Sequence, residues 1–318
     1  MSRIYPIGFS IHSSKITNDI PEKKRLLAPL IPGNTSTYIY HTEKDYYDAY
    51  KESYFAITHR KAGWDCMRHY EILACGCIPL FPDLENCPPN IMTHFPKFMI
   101  QQSNQLYNNI LSKSVDPMTE AEQMKLKELY IKPLLELTKT QLTNVAIAQY
   151  ILTKSDHIVP SSSLPNLLSN EMNRDVKRIL YLSGDTDPDY LRCVTLPGFK
   201  ELFGAECHDY PKIKHIYTDY PEDQAKQLYG RGLTYTKLVD PILRNDNYDI
   251  TVEDDIKKHK YDLIIYGSYH RGMPFWDLVN VSYDKKDVVL MCGEDLHHCN
   301  YNQYAEQGYI LFVRELLN

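Results

Sequence analysis

Basic residues cluster where one strand pattern in the first half of the chain ends. The apolar run at residues 54–58 (YFAIT) predicts a strand, and the next helical pattern begins shortly after it. Arg60 and Lys61 lie between the two, and Arg68 and Glu71 lie on the helix. A helix N-terminus favours anions, and Arg and Lys donate charge-assisted hydrogen bonds to phosphate. Arg68 and Glu71 share one helix face, where a cation for phosphate and a carboxylate for ribose hydroxyls would suit a nucleotide.

A structural interpretation of the same residues is open. Arg68 and Glu71 could form a surface ion pair, and Arg60 and Lys61 could lie in a solvated loop. Each residue taken alone is more often structural. Their combination at the end of one strand favours a diphosphate site.

The segment beyond this helix carries turn and packing residues. Gly76 permits a tight turn from helix to strand, and Pro79 fits best at the start or edge of a strand. Cys66, Cys75 and Cys77 have no neighbour that marks them as nucleophiles, so we expect them to fill the core.

The run at residues 61–88, KAGWDCMRHYEILACGCIPLFPDLENCP, resembles the donor-binding segment of GT-B glycosyltransferases, including exostosin-like and group-1-like members. In that family a Glu followed by Gly-x-x-Pro marks the nucleotide-sugar site. The resemblance implies that Glu71 holds the donor ribose and that Arg60, Lys61 and Arg68 face the diphosphate. It also implies no bound metal or other cofactor, with the nucleotide sugar as co-substrate.

Carboxylates and a histidine follow strand patterns in the second half. Asp185, Asp187 and Asp189 come after residues 178–184 (RILYLSG), and His270 and Arg271 come after residues 261–268 (YDLIIYGS). A transferase needs a base for the proton of the acceptor hydroxyl, so we predict catalytic roles for Asp187, Asp189 and His270. Helix capping by the aspartates and a solvated loop at His270 are the alternatives.

Metal binding is not predicted. The segment at residues 293–299 (GEDLHHC) contains possible ligands, but without the CxxC or HxxxH spacing of common zinc sites. Residues 185–187 spell Asp-x-Asp, a match that is common by chance. A role for Glu294 or Asp295 near the reaction has weak support.

Strand and helix patterns alternate along both halves. Predicted strands are residues 4–11, 37–40, 54–58, 77–82, 178–184, 261–268, 287–293 and 309–313. Predicted helices are residues 21–30, 43–53, 64–75, 118–154, 189–204, 221–230 and 274–280. This alternation predicts an α/β protein with two Rossmann-like domains and mostly parallel sheets. We expect a donor-binding domain at residues 1–154, a Ser- and Pro-rich linker at 155–172 and an acceptor-side domain at 173–318.

The second half resembles the acceptor-side domain of GT-B proteins. The resemblance rests on residues 178–211, on LYGRGLTYT at 228–236 and on the two last strand patterns. In such proteins the acceptor domain comes first and a cleft separates it from the donor domain. The reversed order suggests a circular permutation, which surface termini near each other would permit. Two similar domains without permuted ancestry are the alternative.

Composition excludes several classes of protein. Lys and Arg number 35 and Asp and Glu 41, a net charge of −6, so we expect no nucleic-acid partner. No apolar run approaches the roughly 18 residues of a membrane helix, and the first residues lack a secretory signal pattern. The eight cysteines form no disulfide framework. We therefore expect a soluble, cytoplasmic protein.

Together these features predict a metal-independent glycosyltransferase. It would move a sugar from a nucleotide-diphosphate sugar to a hydroxyl of a carbohydrate or glycoconjugate acceptor, as in glycan biosynthesis. A nucleotide-sugar epimerase of the same architecture and a non-catalytic nucleotide-sugar binding protein remain alternatives. A transferase acting on DNA bases is disfavoured by the acidic second half.

Overall fold

A computed structural model describes residues 3–113, 118–158, 174–295 and 299–317. Over these residues the chain is an α/β protein built on parallel sheets, as predicted. The strands are β1 (Arg3–Pro6), β2 (Arg25–Leu27), β3 (Ser53–Ile57), β4 (Ile78–Leu80), β5 (His157–Ile158), β6 (Arg174–Asp175), β7 (Ile179–Leu182), β8 (Cys207–Tyr210), β9 (Leu263–Tyr266), β10 (Val288–Cys292) and β11 (Ile310–Val313). The helices are α1 (Glu43–Lys51), α2 (Met67–Ala74), α3 (Lys97–Ser112), α4 (Glu120–Leu126), α5 (Lys132–Gln141), α6 (Asn144–Lys154), α7 (Tyr190–Phe203), α8 (Glu222–Ala225), α9 (Asn247–Lys257), α10 (Trp276–Ser282) and α11 (Tyr301–Glu306). Among the described residues, no helix combines the length and apolar character needed to cross a bilayer.

The chain divides into two compact units. Gly8–Thr143 form the small unit, and Met1–Ile7 with Asn144–Leu316 form the large unit. The small unit is thus an insertion in the sequence of the large one. The predicted domain boundary at residue 154 differs from the boundary between the two units, which lies between Thr143 and Asn144. The reason is that α6 packs closely against α7 of the large unit. A Cβ atom on Gly198 of α7 would lie 2.0 Å from the Asn144 carbonyl oxygen, so only glycine permits this approach.

The predicted linker at residues 155–172 is described only in part. Its first residues continue α6 into β5, which pairs in parallel with β6. Residues 159–172 lie outside the described part of the chain.

The large unit is built on a six-stranded parallel sheet in the order β1-β11-β10-β9-β7-β8. Every residue of β7, β9, β10 and β11 is buried, which explains their continuous apolar sequences. The strand order reverses at β7, which has β8 on one side and β9 on the other. In sheets of this type, ligands bind at the carboxyl ends of the strands where the order reverses.

The first strand belongs to the large unit and not to the small one. Residues 4–11 are predicted as the first strand of the donor domain, but β1 pairs with β11, with Ile4 opposite Leu311. The Tyr150 hydroxyl of α6 donates a hydrogen bond to the carbonyl oxygen of Pro6 at 2.8 Å. Strands from both ends of the chain therefore lie side by side in one sheet.

The small unit has a three-stranded parallel sheet in the order β2-β3-β4. Tyr47 and Tyr50 of α1 and Ile72 of α2 pack in one apolar cluster with Ala56 of β3. Between α2 and β4, Gly76 has a φ of +60°, as the predicted tight turn requires. Pro79 lies in the edge strand β4, which tolerates a residue without an N–H.

Two predicted elements of the small unit are wrong. Residues 21–30 are predicted as a helix, but residues 25–27 form β2 because they pair with β3. Residues 37–40 are predicted as a strand, but Thr35–Thr37 form a short 3₁₀ helix there and no strand follows in this described segment. Both segments lie near prolines or glycines and are too short for periodicity to decide.

Candidate functional site

The small unit presents its candidate site in the segment after β3. Arg60 and Lys61 lie exposed in the loop that leads to α2, and Arg68 and Glu71 lie on α2 itself. The Arg60 guanidinium lies over the Trp64 ring, 5.0 Å from its centroid. All four predicted donor-binding residues therefore come from one loop and one helix.

Arg68 is a partly buried cation with an unused donor. Its Nη1 atom is buried and donates to no acceptor among the described residues. Burial opposes its charge, but Tyr50, Tyr46 and Glu71 hold the pKa of Arg68 above its ordinary value. A buried guanidinium N–H without an acceptor is costly, and an anionic ligand is one kind of acceptor that could satisfy it.

Glu71 lies beside two tyrosines of α1. The Tyr46 hydroxyl donates to Oε2 of Glu71 at 2.5 Å, and the Tyr50 hydroxyl donates to that of Tyr46 at 3.2 Å. Burial, together with the charge of Glu71, raises the pKa of Tyr46 well above its ordinary value. Tyr46 thus stays protonated and holds the Glu71 carboxylate in place.

Two residues that sequence reasoning did not single out fix the loop before α2. The His69 Nε2–H donates to the Trp64 carbonyl at 2.9 Å, and Nδ1 accepts from the Thr58 hydroxyl at 2.8 Å. Burial lowers the pKa of His69 to about 3, so the ring is neutral. Oδ2 of Asp65 accepts a hydrogen bond from the Phe9 N–H at 2.6 Å. These contacts support the segment that carries Arg60 and Lys61.

The large unit gathers its candidate residues where the strand order reverses. The three aspartates lie between β7 and α7, His270 and Arg271 follow β9, and Glu294 follows β10. The loops after β7 and β9 are in close contact. A Cβ atom placed on Gly184 would lie only 2.1 Å from the Arg271 carbonyl oxygen. Glycine at position 184 is therefore required for this approach.

Asp189 is the N-cap of α7. Its Oδ1 accepts from the Arg192 N–H at 3.0 Å and from the Ser268 hydroxyl at 2.8 Å, and its Oδ2 accepts from Nε of Arg271 at 2.9 Å. Burial raises the pKa of Asp189, but contacts with Arg192, Ser268 and Arg271 outweigh it and lower the pKa below its ordinary value. The capping alternative accounts for the contact with the Arg192 N–H, whereas Ser268 and Arg271 bind the same carboxylate from the loop after β9. Both oxygens are therefore engaged.

Asp187 is the exposed member of the three aspartates. Its N–H donates to Oδ1 of Asp185 at 3.2 Å, and its carbonyl accepts from the buried Arg192 guanidinium. Its carboxylate makes no hydrogen bond or ion pair with any residue that the structure describes. The backbone of Asp187 is therefore anchored while its side chain faces solvent.

His270 lies between two carboxylates. Its Nε2 atom is 3.2 Å from Oε1 of Glu294 and 3.9 Å from Oδ2 of Asp189. Its Nδ1 atom is buried and has no hydrogen-bond partner in the described part of the chain. His270 also forms, with Cys292 and Cys299, a group that could hold a metal ion.

The loop after β10 is held by an arginine that the sequence patterns did not mark. Nε of Arg314, which follows β11, donates to the Gly293 carbonyl at 3.0 Å. The same guanidinium pairs with Asp295 and with Glu315. This buried arginine positions the loop that carries Glu294. Its position directly after an apolar strand was the available signal.

No protein-family model matches this chain, and neither does any curated protein or solved structure.

Proposed function

We propose that this chain is a glycosyltransferase of GT-B-like architecture that uses a nucleotide-diphosphate sugar as donor. The small unit would bind the donor, and the large unit would bind the acceptor and take its proton. The observation that carries the proposal is the buried Nη1 atom of Arg68, which has no acceptor among the described residues and lies one helical turn from Glu71. The sequence of residues 61–88 supplies the choice of nucleotide sugar.

On the donor side, Arg68 would bind the diphosphate through its unused N–H group. Arg60 and Lys61 are exposed near the start of α2 and would add positive charge as the diphosphate leaves. The Glu71 carboxylate, which Tyr46 holds in place, can only accept hydrogen bonds and would bind the hydroxyls of the ribose. These contacts would stabilise the charge that develops on the leaving group.

On the acceptor side, Asp187 is the base that fits best. Both oxygens of Asp189 are engaged in capping and ion pairing. Nε2 of His270 faces the carboxylates of Glu294 and Asp189 and is therefore not directed at an acceptor. The Asp187 carboxylate is exposed on an anchored loop. In transfer, the acceptor oxygen would bond to the anomeric carbon and its proton would pass to Asp187. The bond from that carbon to the diphosphate would break, with its electron pair remaining on the diphosphate.

The test is donor binding by the full-length chain. A thermal-shift panel of nucleotide sugars is expected to contain at least one that stabilises the protein, by about 2.7 kcal/mol at 100 times its Kd. Arg68→Gln should weaken that binding by about 10- to 100-fold, since a hydrogen bond to a charged group contributes about 1.5–3 kcal/mol. Arg25→Gln is the matched control, because Arg25 lies in the same unit and pairs with Glu52. No stabilisation by any donor, or equal binding by Arg68→Gln, would overturn the proposal.

A further inference from the structure

Three metal-ligating side chains meet at the carboxyl ends of two neighbouring strands. β9 and β10 pair in parallel, with Ile265 opposite Val289. His270 follows β9, Cys292 ends β10, and Cys299 follows in the next loop. One ligand atom of each lies within 4.8 Å of the other two. Ligands around a tetrahedral Zn²⁺ lie about 3.5–3.8 Å from one another, given Zn–S bonds near 2.3 Å and Zn–N bonds near 2.0 Å, so small side-chain shifts suffice.

The hydrogen bonding of His270 matches that of a ligating histidine. Nε2 faces Oε1 of Glu294 at 3.2 Å, which favours the proton on that nitrogen and leaves the lone pair on Nδ1. Nδ1 is buried and without a hydrogen-bond partner among the described residues. A ligating histidine usually gives its other N–H to a carboxylate or carbonyl, which fixes the ring and increases its basicity. Glu294 is placed for this role.

Cys292 and Cys299 can form a disulfide or, when reduced, can act as metal ligands. The structure joins Cys292 and Cys299 as a disulfide, and both residues are buried. A disulfide makes no use of an adjacent imidazole with a free, buried nitrogen. Two thiolates and an imidazole are the ligand set that zinc prefers.

We propose that the reduced chain binds one Zn²⁺ through Nδ1 of His270 and the Sγ atoms of Cys292 and Cys299, with Glu294 as the positioning residue. Binding converts two thiols to thiolates and releases their two protons to water, with no electron transfer. The site differs from the expectation of no metal, which rested on ligand spacing along the sequence and on the resemblance to GT-B glycosyltransferases. Its ligands come from the end of β10 and from segments that follow β9 and β10, so no short motif marks it. It is independent of the proposed glycosyl transfer.

The test is metal content after reduction. The full chain is treated with a phosphine reductant without oxygen, loaded with Zn²⁺, passed through gel filtration, and analysed for metal and protein. We expect about one Zn²⁺ per chain. With Co²⁺ in place of Zn²⁺, we expect thiolate-to-cobalt charge-transfer absorption, which reports sulfur ligands directly. Retention of far less than one ion, or bound Co²⁺ without thiolate absorption, would overturn the proposal.

Variants separate this site from adventitious binding. Cys292→Ser with Cys299→Ser should lose the ion, and Cys66→Ser with Cys87→Ser should keep it, because these two cysteines lie in the small unit. Glu294→Gln leaves all three ligands and should weaken affinity by about 10- to 100-fold, so it tests the site even if the cysteine variant folds poorly. Unchanged affinity in Glu294→Gln would contradict the positioning role. An ion that survives loss of Cys292 and Cys299 would overturn the site.

Discussion

Oδ2 of Asp189 lies 2.9 Å from Nε of Arg271, so the loops after β7 and β9 are joined by an ion pair where the strand order reverses. The Ser268 hydroxyl makes a second link to the same carboxylate at 2.8 Å. Because His270 lies between Ser268 and Arg271 on the joined loop, these contacts set its place beside Glu294. Asp189 thus links the two loops through a buried carboxylate.

Replacing Asp189 tests this structural role. Asp189→Asn keeps the size of the side chain but removes the charge that pairs with Arg271. Because the aspartate is buried and Arg271 is partly exposed, we expect a loss of about 2 kcal/mol in the free energy of unfolding, measured by urea denaturation. Asp284→Asn is the control, since that exposed side chain should change stability by less than about 0.5 kcal/mol. Equal midpoints for the two variants would contradict the role.

Asp187 tests the choice of base. Asp187→Asn removes an exposed carboxylate from an anchored loop, so we expect the fold and the donor Kd to stay unchanged. The rate of nucleoside diphosphate release in the presence of acceptor should fall by about 10²- to 10⁴-fold, the usual contribution of a general base. Asp284→Asn again serves as the control. A rate within twofold of the unmodified chain would assign the proton to another group.

Glu71 tests ribose recognition. In the unmodified chain, a donor whose ribose lacks a hydroxyl should bind about 10-fold more weakly than the complete donor, as measured by calorimetry. Glu71→Ala should bind both donors with equal, reduced affinity, because no side-chain acceptor for the hydroxyl remains at this position. Tyr46→Phe removes the hydroxyl that holds Glu71 and should show an intermediate difference. If Glu71→Ala kept the full preference for the complete donor, the ribose would have to bind elsewhere.

Because His69 is buried and neutral, we expect the small unit to lose stability as the pH becomes acidic. Burial lowers its pKa to about 3, whereas the unfolded chain has a value near 6.5. The neutral ring therefore contributes its full stability above pH 6.5, and the contribution is lost as the pH falls from 6.5 towards 3. The slope of the unfolding free energy approaches about 1.4 kcal/mol per pH unit in that range.

The measurement uses the fluorescence of Trp64, with Trp276→Phe removing the only other tryptophan. Urea unfolding at pH 7.5 and pH 5.0 should differ strongly in this background. His69→Gln keeps a donor for the Trp64 carbonyl and should reduce the difference, whereas the exposed His41→Gln should not. The same pH dependence in His69→Gln would assign it to other groups.

The sequence predicts the central strands well because each of them is a run of consecutive apolar residues. The apolar strands β7, β9, β10 and β11 are buried along their whole length, so composition alone reveals them. β8 was missed because its sequence, CHDY, is polar. Its buried Asp209 is stabilised by Lys200 at 2.9 Å and by the Tyr217 hydroxyl at 2.7 Å, and despite burial these contacts lower the pKa of Asp209 to about 2. These partners lie outside the strand, on α7 and in the segment after β8, so the sequence of the strand does not reveal them.

The candidate sites also contain some residues that the sequence predicts and others that it does not. Arg68 and Glu71 lie on one helix, so their spacing predicts a shared face. Arg192 was not predicted, because its contact with Asp185 at 2.8 Å depends on how α7 meets the loop before it. The group of His270, Cys292 and Cys299 depends on the register of two strands. Contacts that form only when separate elements pack together cannot be predicted from the spacing of residues along the sequence.

Release of nucleoside diphosphate from a nucleotide sugar tests the central claim most directly. The full chain is incubated with the donor that stabilises it, with and without a carbohydrate acceptor, and the products are separated by chromatography. We expect slow release with water as acceptor and faster release with a suitable acceptor. Below saturating donor, both rates should fall by about 10- to 100-fold in Arg68→Gln but not in Arg25→Gln. Conversion of the intact donor to a sugar isomer would indicate an epimerase, and binding without any product would indicate a binding protein. Either result would contradict glycosyl transfer.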